Sequence, residues 1–193
     1  MRRGILQMAA SLALVIGAIA AAPPFPDLGA AAPLRLTDAG SGRPLMPQLA
    51  GKSVLVSFIA STCRETCPLT EGTFVRVAQA LQARGDLRRV GLVLVTIDPT
   101  TDTIDRLRNL ARSVDGRNSA IHFATGSPEQ IDDILRRYDI SVRYHAGTRE
   151  DPDHTAAIYL IDANGHVRYD FGIDYPPSAI ARLTDRFAHL AAK

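Results

Sequence analysis

The stretch Val54-Leu55-Val56-Ser57-Phe58-Ile59-Ala60-Ser61-Thr62-Cys63-Arg64-Glu65-Thr66-Cys67-Pro68 decides how the chain is read. Its apolar, β-branched first half has the composition of a strand that a sheet buries on both faces. Pro68 suits a first helical position and Gly85 stops the pattern, so a helix is predicted from Pro68 to about Ala83. Cys63 and Cys67, the only cysteines in the sequence, then sit at a strand-to-helix turn. Such a pair can be a redox couple or two soft metal ligands. Pro68 biases its predecessor away from helical dihedrals, which predicts Cys67 at the N-cap and Cys63 in the loop before it. The positive end of the helix would then lower the pKa of the Cys67 thiol.

Strands and helices alternate outward from this turn. Leu34 to Leu36 reads as a short strand, Val90 to Ile97 as a second buried strand and Ile121 to Ala124 as a third. Asp102 is the expected N-cap of the helix after Val90 to Ile97, and Ser127-Pro128-Glu129-Gln130 opens another helix that runs to about Tyr138. Ala156 to Ile161 and Val167 to Phe171 flank Asp162-Ala163-Asn164-Gly165, a hairpin signal. A last helix is predicted from about Pro177 to Ala192. This order predicts an α/β, thioredoxin-like fold, a central mixed β-sheet flanked by helices, with the cysteines at the carboxyl ends of the strands. Thioredoxin-type enzymes separate their cysteines by two residues, whereas three separate Cys63 from Cys67.

The amino terminus bears on where the pair works. Arg2 and Arg3 precede an uncharged, apolar stretch from Gly4 to Ala22 that ends in small residues, the layout of a secretory signal with Ala18-Ile19-Ala20 as a cleavage motif. At about 19 residues the stretch is also long enough to be an uncleaved membrane anchor. Either way the positive flank predicts export of the body: a periplasmic protein, or one anchored to the inner membrane and facing the periplasm. No cysteine closes the apolar run, so a lipid-modified anchor is not expected. Residues 1–22 are accordingly read as signal or anchor, 23–33 as a Pro/Ala-rich tether, and 34–193 as one domain with one core. A formal net charge of +2, with arginines scattered over helical faces, gives no nucleic-acid signature.

A third ligand would tip the cysteine pair toward metal. His154, in Asp153-His154-Thr155, precedes the first strand of the carboxyl-terminal hairpin, and in a thioredoxin-like sheet that loop passes over the cysteine turn. Thioredoxins carry a cis-proline there, while this chain has His154-Thr155, so an imidazole can join two sulfurs. Two alternatives stand beside the metal site. Two cysteines in an oxidising compartment can form a structural disulfide. They can also serve an exported thiol-disulfide oxidoreductase or peroxide-reducing enzyme, one as nucleophile and one as resolving thiol. His122, His166 and His189 read as surface or structural residues, and His145 lies in the loop before His154. Met46 is the only methionine beyond the apolar amino-terminal stretch, so no methionine-rich copper-transfer surface is expected.

Four motifs in order resemble the SCO/SenC family, the copper-binding assembly factors of cytochrome c oxidase. They are Phe58 to Pro68 with Cys-x3-Cys-Pro, Asp98-Pro99-Thr100-Thr101-Asp102-Thr103, Thr125-Gly126-Ser127-Pro128-Glu129-Gln130, and Asp153-His154-Thr155 leading into Tyr159-Leu160-Ile161-Asp162. The resemblance spans roughly Pro33 to Lys193. It implies copper, as Cu(I), Cu(II) or both, on Cys63, Cys67 and His154, with Asp98 as an outer-sphere carboxylate. It also implies a redox-active Cys63/Cys67 disulfide and a metallochaperone rather than an enzyme. The implied client is the copper-site subunit of cytochrome c oxidase, with a second copper chaperone and a thiol reductant as further partners. Members often carry a proline after the first cysteine, where this chain has Arg64.

Overall fold

The computed structural model of the protein describes residues 26–116 and 120–190. The chain runs β1 (Thr37–Asp38), α1 (Met46–Leu49), β2 (Ser53–Ile59), α2 (Thr66–Arg84), a 3-10 turn (Leu87–Arg89), β3 (Val90–Thr96), α3 (Ile104–Val114) and β4 (Ile121–Thr125). It continues through α4 (Pro128–Arg137), β5 (Val142–Arg143), β6 (Asp153–His154), β7 (Ala157–Ile161), β8 (Val167–Gly172) and α5 (Pro177–Leu190). The expected signal or anchor, residues 1–22, lies outside the described residues, as do residues 23–25 of the tether. Among the described residues no helix is long and apolar enough to cross a membrane.

Six strands form one sheet in the order β1-β4-β3-β2-β7-β8. β2, β3 and β4 are parallel neighbours, β7 runs antiparallel to β2, and β8 returns antiparallel to β7. The sheet is therefore mixed, and its fold is thioredoxin-like. β2 and β3 are buried along their whole length, as their unbroken apolar runs require. Successive side chains of a strand point to opposite faces, so each of these strands feeds two cores. Leu55 and Ile59 pack with Phe74 and Leu81 of α2 and Phe187 of α5. Val54, Val56 and Phe58 pack on the other face with Leu34, Leu36 and the α4 residues Ile131 and Ile134. Gly91 of β3 leaves room for Leu49, because a Cβ there would stand 2.4 Å from the Leu49 side chain.

Several local expectations hold. Gly85 ends α2 in a left-handed conformation, φ 79°, which glycine adopts without steric cost. Ser127 and Gln130 form a reciprocal capping box at the start of α4. Asp162 closes the β7–β8 turn by accepting from the amides of Asn164 and His166 and from Arg168 Nε.

Other expectations are corrected. The first strand is Thr37–Asp38, since these residues reach Thr125 and Ala124 of β4; Leu34 and Leu36 are buried as core side chains instead. Residues 26–33, read as tether, lie along the hairpin, where Leu28 N donates to Val167 O and Ala31 N to Gly165 O. Thr103, not Asp102, caps α3 through its hydroxyl, which accepts from Arg106 N. Asp102 is 1% exposed and takes a different task. It accepts from Thr96 Oγ1 at 2.6 Å, from Ser61 N at 3.1 Å and from the Ser61 hydroxyl. The carboxylate thus ties the end of β3 to the turn leaving β2. Replacement Asp102→Ala leaves three donors without their acceptor and is expected to lower stability by about 3 kcal/mol, measured by urea unfolding of the reduced chain.

Candidate metal centre

The turn after β2 is shaped by its own cysteines. α2 begins at Thr66, so Cys67 lies inside the first helical turn, and Glu65 at the N-cap position makes no side-chain cap bond. The missing acceptor is supplied by sulfur: Cys67 N donates to Cys63 Sγ at 3.3 Å, satisfying one of the first-turn amides that a helix leaves unpaired. Ala60 N donates in turn to Cys67 Sγ at 3.4 Å. Cys67, expected at the N-cap, thus lies inside the helix, and Cys63 supplies the capping acceptor from the loop. Both thiols are free, Cys63 half-buried and Cys67 buried.

Burial also reverses the expected acidity of Cys67. At 1% exposure the loss of solvation pushes its thiol well above the ordinary range, and the neighbouring Cys63 adds to the effect. A helix end is worth at most about 2 kcal/mol to a charge, too little to outweigh near-complete desolvation. Cys67 is consequently a thiol near neutral pH and a thiolate only when something replaces its proton.

His154 stands where that replacement can occur. β6 pairs with β5, placing His154 opposite Val142, and Cys67 Sγ lies 3.4 Å from His154 Nε2. Its Nδ1 is 3.0 Å from Thr155 O. A carbonyl can only accept, so Nδ1 carries the proton and Nε2 turns its lone pair to the sulfur. Burial holds the imidazole pKa below its usual value, which favours this neutral form. Cys63 Sγ, Cys67 Sγ and an imidazole nitrogen of His154 all lie within 4.8 Å of one another. Two sulfurs and a neutral imidazole are a soft donor set, suited to Cu(I) or Zn(II) and poorly suited to hard cations.

A cavity of about 270 Å³ opens onto this group, lined by Cys63, Glu65, Thr66, His145, Asp151, Pro152, Asp153 and His154. His145 shares the cavity wall, but its Nε2 faces Asp153 Oδ1 at 3.7 Å and it lies outside the donor group. Asp98 is likewise outside that group. Its oxygens accept from Arg149 Nε at 2.9 Å and Nη2 at 2.7 Å, a bidentate pair across 51 residues of sequence. The remaining histidines sit beside carboxylates: His122 by Asp38, His166 by Asp27, and His189 by Asp86 and Asp185. The last three residues also gather ligating atoms, a cluster not anticipated although Asp185 and His189 are one helical turn apart. Arg84 and Arg89 approach the two carboxylates at 3.8 and 4.0 Å, so the cluster works as an ion-pair network between the end of α2 and α5.

Comparison with known proteins follows the same lines. Residues 30–189 match the family model described as SCO1/SenC. A mitochondrial SCO2 homolog of Bos taurus is 33% identical over 120 residues, which is 60% of this chain and 43% of that protein. The chain thus spans less than half the length of that relative. Bradyrhizobium japonicum ScoI, solved with copper bound, superposes with a TM-score of 0.71 at 25% identity, covering 82% of this chain and 99% of that one. A SCO1/SenC family lipoprotein of Bacillus anthracis superposes at 0.74 with 23% identity, covering 84% and 97%.

The two thiols should differ in reactivity. Iodoacetamide added to the reduced chain at neutral pH is expected to label Cys63 first and Cys67 at least about tenfold more slowly, because Cys67 is enclosed and protonated. Labelling of Cys67 should accelerate only as pH rises toward its raised pKa. Peptide mass spectrometry across a pH series checks both statements.

Proposed function

Since the chain belongs to the SCO1/SenC family, we propose that it is a copper metallochaperone that carries one copper ion on Cys63, Cys67 and His154. The observation that carries the reading is the convergence of two sulfurs and one neutral imidazole nitrogen within 4.8 Å at the end of β2. This donor set satisfies the preference of Cu(I) for thiolate and imidazole. A closed structural zinc site takes four protein ligands, and three converge among the described residues. Three donors leave one side of the cargo open toward the cavity, where an incoming ligand can take it. By the same reading, the client is the copper-site subunit of cytochrome c oxidase, and the cargo goes to its binuclear copper centre. A second copper chaperone would load the site and a thiol reductant would keep it open. The body would work outside the cytoplasm, exported or held at the membrane by its amino-terminal stretch.

Each residue has a task in this scheme. Cys67 gives up its thiol proton beside His154 Nε2, Cys63 offers the more accessible, half-buried sulfur, and Thr155 O holds the imidazole in the ligating tautomer. The alternative is an exported thiol-disulfide oxidoreductase or peroxide-reducing enzyme. One observation favours it: an accessible Cys63 backed by a buried Cys67 is the arrangement of an attacking and a resolving thiol. The lone pair of His154 facing Cys67 Sγ favours the metal.

Anaerobic titration of the reduced full-length chain with Cu(I) should give one copper per chain. His154→Ala is expected to weaken binding by more than about tenfold and to spare thiol-disulfide exchange. Affinity should rise with pH, by up to about tenfold per unit for each proton displaced, while Cys67 remains a thiol in the free protein. Binding that ignores both His154 and pH would refute the metallochaperone reading and leave the exchange enzyme.

A further inference from the structure

His154 reaches the cysteines only because a long excursion of the chain closes over them. β5 and β6 pair through Val142 with His154 and Arg143 with Asp153, so residues 144–152 form a flap whose base presents the imidazole. Two sets of bonds pin the far part of this flap. On one side Arg149 grips Asp98 through Nε and Nη2, stacks its guanidinium 4.3 Å from the Tyr144 ring centre, and donates to Tyr144 Oη at 3.1 Å. On the other side the flap meets the cysteine turn directly: Thr62 Oγ1 donates to Arg149 O at 3.3 Å and Arg64 N to Asp151 Oδ1 at 2.9 Å. Asp151 holds a left-handed backbone, φ 49°, which a residue with a Cβ keeps only when its surroundings enforce it.

We propose that Arg149 is a positioning residue of the metal centre: locked to Asp98, it holds the flap down over Cys63 and fixes the strand that presents His154. The inference rests on the metal reading of the site, and it adds a latch that sets when the thiols are accessible. The Asp98 side chain is 1% exposed and that of Arg149 is 50% exposed. When the flap lifts, the guanidinium passes into water and the carboxylate loses the cation that covers it, since its 1% exposure is that of the closed flap. Thr101, whose N donates to Asp98 Oδ1 at 3.2 Å and whose side chain also bonds that carboxylate, remains beside it. Opening breaks a charge-assisted bidentate pair, so the flap is biased to close. A partner that takes or delivers metal must compete with this bond, by offering a cation to Asp98 or an anion to Arg149.

The test is the rate at which iodoacetamide labels Cys63 in the reduced, metal-free, full-length chain. Arg149→Gln should raise that rate by about five- to tenfold, as expected for losing a charge-assisted bidentate bond. Arg149→Lys should give an intermediate rate, because an ammonium keeps the charge without the fork. Arg168→Gln, which breaks the Arg168–Asp162 pair at the opposite end of the sheet, should leave the rate unchanged. Equal acceleration in Arg168→Gln would make the effect general loosening and overturn the proposal. So would a wild-type rate in a folded Arg149→Gln. Should Arg149→Gln not fold, Tyr144→Phe removes the hydroxyl, which accepts from Arg149 and also donates to Ile97 O beside Asp98 at 3.5 Å, and a rise of about twofold supports the latch while an unchanged rate overturns it. No copper is added, so a chain that binds none but whose labelling answers to Arg149 keeps the latch and loses the metal reading; a chain that binds copper with unaltered labelling does the reverse.

Discussion

The site turns on the 3.4 Å between Cys67 Sγ and His154 Nε2. Burial raises the thiol pKa and lowers the imidazole pKa, so each group is neutral for the same reason and the thiol faces the nitrogen lone pair. A buried thiol and a half-buried imidazole without each other would be two polar groups poorly served by water. Together they satisfy one another, and they are also primed for a soft cation that can take the place of the proton. In the proposed reading, hydrogen bonding and metal ligation are two occupancies of one gap.

Everything around that gap keeps it narrow. β2 and β3, fully buried, carry the turn to the carboxyl end of the sheet and leave it little freedom. Asp102 binds Ser61 to Thr96, so the turn moves only with the end of β3. Cys63 Sγ accepts from the first turn of α2, which links the more exposed ligand to the helix that carries the buried one. On the opposite side, β7 is pinned where Tyr159 Oη donates to Tyr138 O at 2.7 Å, and the flap leading to it is held by Asp98 and the cysteine turn. The two halves of the site come from elements separated by 87 residues, yet both rest on one rigid sheet.

Much of this was legible in local sequence because local physics sets it. The apolar runs of β2 and β3, the Ser127 capping box, the left-handed Gly85 and the Asp162 turn each follow from a few adjacent residues. The candidate ligands were legible as well, since a cysteine pair at a strand end and a histidine before the hairpin are brought together by the topology. The acidity of Cys67 was not, because near-complete burial depends on how Phe74, Ile59 and their neighbours close around it. Nor was the work of Asp98 and Asp102. Asp98 read as an outer-sphere carboxylate and Asp102 as a helix cap, and their partners, Arg149 and Ser61, lie 51 and 41 residues away. Pairings of that range are set by the folded sheet and leave no periodicity to read.

The central claim concerns which atoms hold the cargo, and X-ray absorption at the copper edge of the Cu(I)-loaded full-length chain tests it most directly. Two sulfur scatterers and one imidazole nitrogen per copper, with the imidazole signature lost in His154→Ala, is the predicted result. A copper held by two sulfurs alone, with a spectrum indifferent to His154, would contradict the account and reduce the contact between Cys67 and His154 to a hydrogen bond of the metal-free protein.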